Sequence, residues 1–203
     1  IDRMKNDLKR YNINFDCWFH ESALHASGAV KQIVDDLTAR GLTYEQDGAV
    51  WYRASEFGGA KDEVLIRANG HPTYFAADIA YHQNKFVDRG YTKCINIWGA
   101  DHHGHVARLK GAMDAVGVGG EKLDIVLMQL VRLTRQGELV RMSKRTGNAV
   151  TLSDLLDEVP IDAARFFFNM REPGSSLDFD LYLAVEESSH NPVYYVQYAH
   201  ARI

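Results

Sequence analysis

Ile95-Asn96-Ile97-Trp98-Gly99-Ala100-Asp101-His102-His103-Gly104-His105 is the stretch of this chain that says most about its fold. A β run from Tyr91 to Trp98 ends at Gly99, and a helical pattern follows from His102 to Val116. A strand, two small residues and then polar side chains at a helix start is how α/β proteins present chemistry at the carboxyl ends of their strands. Gly99 and Ala100 lack bulk, which leaves room for a sugar or a base against the backbone. Asp101 can accept hydrogen bonds from vicinal hydroxyls, and a helix start favours an anion. Three readings fit the segment: a nucleotide ribose site, a metal site on Asp101, His102 and His103, or an N-cap aspartate beside surface histidines.

The same alternation continues on both sides. Upstream, Thr73 to Arg89 predicts a helix, Val64 to Arg67 a short strand, and Leu42 to Glu45 with Ala49 to Arg53 a hairpin around Gln46-Asp47-Gly48, where Asp-Gly is a strong turn signal. A helix near Gly28 to Arg40 has Ser27 or Gly28 as its cap and Gly41 as its stop. Downstream, Leu123 to Leu133 is apolar enough for a buried strand or a core helix. From Thr151 onward the pattern reads as helical, with Thr151 or Ser153 opening one helix and Asp162 to Met170 forming another. Helices alternating with apolar strands predict an α/β layered sheet for the middle of the chain. Residues 1 to 10 read as the tail of an amphipathic helix and Asn191 to Ile203 as a helix that simply stops. Both ends therefore read as cut, and a piece of a longer protein is expected.

Composition narrows the function classes. The 23 Lys and Arg against 27 Asp and Glu give a formal charge of −4 over 203 residues. That excludes a wholesale basic nucleic-acid binder while allowing a local basic patch. With 46% hydrophobic and 25% charged residues, disorder and coiled coil are excluded as well. Nothing approaches the roughly 18 consecutive apolar residues of a membrane helix, and Ile1-Asp2-Arg3-Met4-Lys5 has no apolar signal core. The expectation is a cytoplasmic protein. Cys17 and Cys94, the only cysteines, cannot build a disulfide framework or a four-sulfur zinc site.

Two further segments carry chemistry. Leu139-Val140-Arg141-Met142-Ser143-Lys144-Arg145-Thr146-Gly147-Asn148, with Arg132 and Arg135 nearby, suits a clamp on a triphosphate, because a lysine closing over departing pyrophosphate stabilises its charge. The alternative is a solvated basic loop. Thr73-Tyr74-Phe75-Ala76-Ala77-Asp78-Ile79-Ala80-Tyr81-His82 places Tyr74 and Asp78 on one helix face, with Tyr81 and His82 a turn further. A carboxylate and a phenol there make a receptor for a planar cation, since a carboxylate binds guanidinium through two parallel bonds. The competing reading pairs Asp78 with Lys85 or Arg89 and buries Tyr74 in the core. The metal reading of Asp101 to His103 is weaker. No Asp-x-Asp precedes the strand, Asp178-Phe179-Asp180 comes much later, and His-Glu-x-x-His and Cys-x-x-Cys are missing.

Taken in order, these segments resemble the arginyl-tRNA synthetases of bacterial type, class I aminoacyl-tRNA synthetases. The resemblance also runs through Phe15-Asp16-Cys17-Trp18-Phe19, Gly48-Ala49-Val50-Trp51, Asp162-Ala163-Ala164-Arg165-Phe166-Phe167-Phe168, Leu177-Asp178-Phe179-Asp180 and Asn191 to Ile203, nearly the whole chain. It implies an α/β fold class: the second half of a Rossmann-like nucleotide-binding fold, with the end of an α+β insertion and the start of a helical domain. Residues 1–70 would end an inserted connective segment and 71–150 would form the half-fold with its signature loop. Residues 151–190 would be a helical linking region and 191–203 the start of an anticodon-binding domain.

The resemblance implies an arginine–tRNA ligase using arginine, ATP with magnesium as the substrate complex, and tRNA(Arg), with no tightly bound cofactor or metal and no membrane or DNA partner. Met142, Ser143 and Lys144 match the second class I signature, Lys-Met-Ser-Lys-Ser, in which Lys144 would steady pyrophosphate; Arg141 and Arg145 replace its first Lys and last Ser. Gly99, Asp101 and His102 would hold ATP together with Lys144, and Tyr74, Asp78 and His102 would bind arginine. His102-His103-Gly104-His105 formally fits the first signature, His-x-Gly-His, but too little chain separates it from Lys144 to build the rest of a parallel sheet. The true first signature is expected upstream, so these residues alone are expected to lack pyrophosphate exchange. Gly59 and Ala60 stand where family members tend to be acidic. The alternatives are a metal-dependent phosphoesterase using Asp101, His102 and His103, or a non-catalytic tRNA-binding fragment.

Overall fold

In the computed structural model, which describes residues 1–140 and 150–203, the order of elements begins with helices α1 (Asp2–Arg10), α2 (Glu21–Ala26) and α3 (Ala29–Ala39) and strands β1 (Thr43–Gln46), β2 (Ala49–Tyr52) and β3 (Glu63–Ile66). It continues with α4 (Tyr74–Gln83), β4 (Cys94–Gly99), α5 (Val106–Ala115), β5 (Leu123–Met128), β6 (Val131–Arg135) and β7 (Glu138–Leu139). The last elements are α6 (Leu152–Glu158), α7 (Ile161–Asn169), β8 (Leu177–Asp180), α8 (Leu181–Val185) and α9 (Pro192–Ala201). They form two compact units, Trp18–Leu127 and Ile1–Cys17 with Met128–Ile203. Among the described residues no helix is long and apolar enough to cross a membrane.

In the Trp18–Leu127 unit, β1 and β2 pair antiparallel with Gln46 opposite Ala49. Asp47 and Gly48 turn the chain at φ 54° and 72°, the left-handed pair that a two-residue hairpin needs to match strand twist. β3 adds to β2, also antiparallel, giving the order β1-β2-β3. Helix α3 buries Val30, Ile33, Val34 and Leu37, an i, i+3, i+4, i+7 stripe facing the core. Helix α4 buries Phe75, Ala76, Ala77, Ile79, Ala80 and His82, leaving Tyr74, Asp78 and Tyr81 as its only unburied stripe before Gln83. Thr73 anchors its start, accepting from Ala76 N at 3.5 Å and donating to the Val64 carbonyl at 2.7 Å. The helix expected over Thr73 to Arg89 changes character at Asn84–Asp88, one π-helical turn. The one expected from His102 opens as a 3-10 turn, Ala100–His105, ahead of α5.

β4 and β5 form a two-stranded sheet, whereas β6, β7 and β8 form another in the order β7-β6-β8. The apolar run Leu123 to Leu133, read as one strand or one core helix, is therefore two strands in different sheets. Between them Gln129 N donates to the Pro173 carbonyl at 2.9 Å, a long-range partner that ends the first strand's ladder. The uniformly helical reading after Thr151 also needs correction, because β8 pairs parallel with β6. Leu177 and Phe179 turn into the core while Asp178 pairs outward with Arg132 at 2.7 Å. Four residues with alternating aspartates carry too little local preference to declare a strand; a neighbour far away in sequence makes it one. The core of this second unit gathers Leu155, Leu156, Ala164, Phe167, Phe179 and Leu181, with Tyr11 and Leu133 packed on it.

Candidate functional site

The open stripe of α4 faces a cleft of about 430 Å³ within the Trp18–Leu127 unit. Its walls are Tyr74, Asp78, Tyr81, His82 and Lys85 from the α4 segment, Ile95, Asn96, Ile97 and Trp98 from β4, and His102 and His105 from the turn that follows. Helix periodicity puts the first set on one face, and β4 with the 3-10 turn that follows it supplies the rest, so the cleft lies between the helix and that strand-to-turn junction.

Asp78 is its anionic centre. Burial pushes its carboxyl above the usual aspartate range and the charge of Glu21 adds to this, while Lys85, Arg108 and His102 oppose it. A partly desolvated carboxylate attracts a cation more strongly than one in water. Its helix turn is tied to β4 by a buried chain of hydrogen bonds. The Asp78 carbonyl accepts from His82 Nδ1 at 2.7 Å, and His82 Nε2 accepts from Asn96 Nδ2 at 2.8 Å. Asn96 Oδ1 in turn accepts from Lys85 Nζ at 3.4 Å. With both ring nitrogens committed in these roles, His82 is the neutral Nδ1–H tautomer. Its pKa is lowered first by burial and then by the Lys85 charge. The Lys85 ammonium lies 4.1 Å from the centre of the Tyr81 ring, and Tyr81 stacks on Phe19 at 4.4 Å. Burial also lowers the Lys85 pKa, against the charges of Cys94 and Asp78.

Of the residues singled out in the sequence, Tyr74, Asp78 and His102 line this one cleft. Tyr74 is 55% exposed, so it is not the core residue of the competing reading. His102 packs its ring 6.1 Å from Trp98 and 5.2 Å from His105. Gly99 ends β4, and Asp101 sits exposed in the next turn with Oδ2 3.8 Å from His102 Nε2. A Cβ on Gly99 would stand 2.5 Å from Asp101 Oδ1, so the bare glycine lets the aspartate fold back over the strand end. Asp101 and His103 do not line the cleft. Met142, Ser143 and Lys144 lie outside the described residues.

Among the described residues no three His, Cys, Asp or Glu side chains gather as metal ligands, and Asp101, His102 and His103 are described. A second cavity of about 400 Å³, in the other unit, is lined by Tyr11, Met128, Val131, Phe168 and Arg171 among others and holds none of the predicted site residues. Sequence reasoning missed Asn96, Trp98, His105 and Lys85 as cleft walls. Lys85 extends the Tyr74, Asp78, Tyr81 spacing by a turn and was legible from it; His105 depends on how the 3-10 turn bends.

Comparison with known proteins accords with this architecture. The family model for tRNA synthetases class I (R), catalytic domain, matches residues 1–187. The arginine–tRNA ligase of Caldanaerobacter subterraneus subsp. tengcongensis is 59% identical over 203 residues, all of this chain and 36% of that protein. That of Ruminiclostridium cellulolyticum is 60% identical over the same 203 residues, again 36% of its length. This chain thus spans little more than a third of the curated relatives it matches. An arginyl-tRNA synthetase structure from Campylobacter jejuni superposes with a TM-score of 0.90 at 41% identity, covering 99% of this chain and 44% of that one. The Thermus thermophilus arginyl-tRNA synthetase, 22% identical, shares the fold at a TM-score of 0.79, over 97% of this chain and 43% of its own. With the family model matching most of its length, this chain belongs to the class I tRNA synthetases (R) and carries part of their catalytic domain.

Proposed function

We propose that this chain is the arginine-recognising part of an arginine–tRNA ligase. In the whole enzyme an arginine carboxylate oxygen attacks the α-phosphorus of magnesium-bound ATP, and the bond to the β-phosphate oxygen breaks to release pyrophosphate. A hydroxyl of the 3′-terminal adenosine of tRNA(Arg) then attacks the arginyl carbonyl and AMP leaves. The reaction belongs in the cytoplasm and involves neither membrane nor DNA.

The observation that carries this reading is the half-buried Asp78 carboxylate one helical turn from Tyr74, in a cleft whose far wall is the strand leading to Gly99 and His102. A carboxylate accepts two parallel N–H bonds from a planar guanidinium, which an ammonium cannot supply in that geometry. Arginine is thereby preferred to lysine. Gly99 and Asp101 would meet the nucleoside, the Asp101 carboxylate accepting from ribose hydroxyls, and His102 would contact both the nucleoside and the amino acid. Lys144, with Met142 and Ser143, would offset the charge that develops on departing pyrophosphate.

Pyrophosphate exchange by the full-length protein with Asp78→Asn tests the assignment. Leaving a guanidinium without its carboxylate costs about 3–5 kcal/mol, so the KM for arginine should rise by roughly two orders of magnitude or more while the KM for ATP holds. An unchanged arginine response would overturn the proposal.

A further inference from the structure

Among the described residues Arg108 is the only Lys, Arg, Asp or Glu that is buried, at 9% exposure. It lies on α5 and does not line the cleft. Burying a guanidinium is costly unless its donors are satisfied, and the way Arg108 satisfies them is informative. Its Nη1 pairs with the Glu63 carboxylate on β3. Its Nη2 reaches the cleft wall instead, donating to Tyr74 Oη at 2.9 Å and meeting the His105 ring, closest at Nδ1 and 2.8 Å from Nε2. The guanidinium also lies 5.2 Å from the centre of the Phe75 ring, and its buried Nε has no hydrogen-bond partner. A stability device would need only the Glu63 pair. Here half of the fork holds two rings of the cleft.

Tyr74 is more than half exposed, so core packing does not hold its phenol; the bond from Arg108 does. A guanidinium only donates, so Tyr74 Oη is the acceptor and its own hydrogen is turned away from Arg108. Glu63 supplies the opposite charge beside Arg108, so the wall does not repel a cationic ligand and Asp78 keeps its attraction. We infer that the Glu63–Arg108 pair is a positioning element for arginine recognition, fixing Tyr74 and His105 at the cleft wall without touching the amino acid. The inference rests on the proposed function and deepens it.

A double-mutant cycle in the full-length protein tests it, with Arg108→Lys, Tyr74→Phe and the combination assayed by pyrophosphate exchange. Lysine keeps the charge and loses the fork. Each single change should raise the arginine KM roughly tenfold and leave the ATP KM alone, and the pair should fall well short of the product of the two single effects, the remainder beyond Tyr74→Phe reporting the release of His105. Multiplicative effects, equal rises in both KM values, or an unmoved arginine KM in either single variant would overturn the inference. If Arg108→Lys does not fold, the charge-free pair Glu63→Gln with Arg108→Gln replaces it in the same cycle and is read the same way. Asp78→Asn run alongside separates the failures. If it abolishes the arginine response while Arg108→Lys and Tyr74→Phe act independently, only the positioning role falls; if it is harmless, the proposed function falls and takes the inference with it.

Discussion

Burial, with the charge of Glu21 adding to it, holds the Asp78 carboxyl above its ordinary 3.8. A carboxyl whose pKa is higher in the fold than in the unfolded chain helps stability fully below the unfolded value. That help is lost as pH rises through the folded value. At neutral pH the ionised Asp78 therefore costs the fold something, the trade expected if it serves the proposed function. Asp78→Asn should melt higher than the parent at pH 7, each kcal/mol gained appearing as roughly 2–4 °C, while losing arginine binding. The ligand sees the opposite slope: calorimetric titration of arginine should show affinity falling, as the solution is acidified, at a higher pH than an ordinary aspartate would give. His82 works the other way. Its pKa lies below the ordinary 6.5 because burial and Lys85 disfavour its cation, so its contribution is present above pH 6.5 and lost as pH falls through the folded value. In His82→Gln, melting curves between pH 7 and pH 5 should show a shallower acid loss than in the parent.

Helix α5 owes its seat to a missing side chain. A Cβ on Gly111 would stand 2.1 Å from the Phe57 carbonyl oxygen, so the helix and the 3-10 turn Ala54–Phe57 meet backbone to backbone. Alanine favours a helix by up to about 1 kcal/mol over glycine, yet overpacking costs about 1–3 kcal/mol. Gly111→Ala should therefore destabilise the chain in urea titration despite its better helix propensity, and loosen the helix that carries Arg108. In the other unit, α6 opens with a capping box: Thr151 Oγ1 accepts from Asp154 N at 3.2 Å, and Asp154 Oδ2 accepts from Thr151 N at 2.9 Å. Thr151→Ala should cost about 1 kcal/mol there, read from the same titration. The sequence left the cap open between Thr151 and Ser153, and the reciprocal bonds with Asp154 decide it for Thr151.

Over the whole molecule, residues distant in sequence decide which parts cohere. The first helix packs with the last third of the chain. Arg10 Nη1 reaches Asp157 at 2.6 Å, Arg10 Nη2 reaches the Leu156 carbonyl at 2.5 Å, and Arg165 donates to the Tyr11 carbonyl at 2.9 Å. The side chains of Arg10 and Asp157 are partly exposed, so the ion pair itself is worth little and the carbonyl contacts carry most of the tie. Arg10→Ala should cost about 1 kcal/mol and speed amide exchange in residues 152–169, leaving residues 18–127 unchanged.

Much of this was readable before any coordinate. The hairpin at Asp47-Gly48, the stripe of α3, the Tyr74 and Asp78 face of α4 and the strand ending at Gly99 all follow from interactions within a few residues. Period and turn chemistry are local properties, so a linear reading captures them. The sequence also puts Asp78 on one helix face with Tyr74, as a candidate receptor for a planar cation or as a partner of Lys85 or Arg89. It could not show that Arg108 bonds to both Glu63 and Tyr74, since the three lie on three different elements. Nor could it show β8 as a strand or α1 as a neighbour of α6 and α7. Those depend on which distant groups meet when the chain folds and buried charges must find partners, and only the tertiary structure makes that choice.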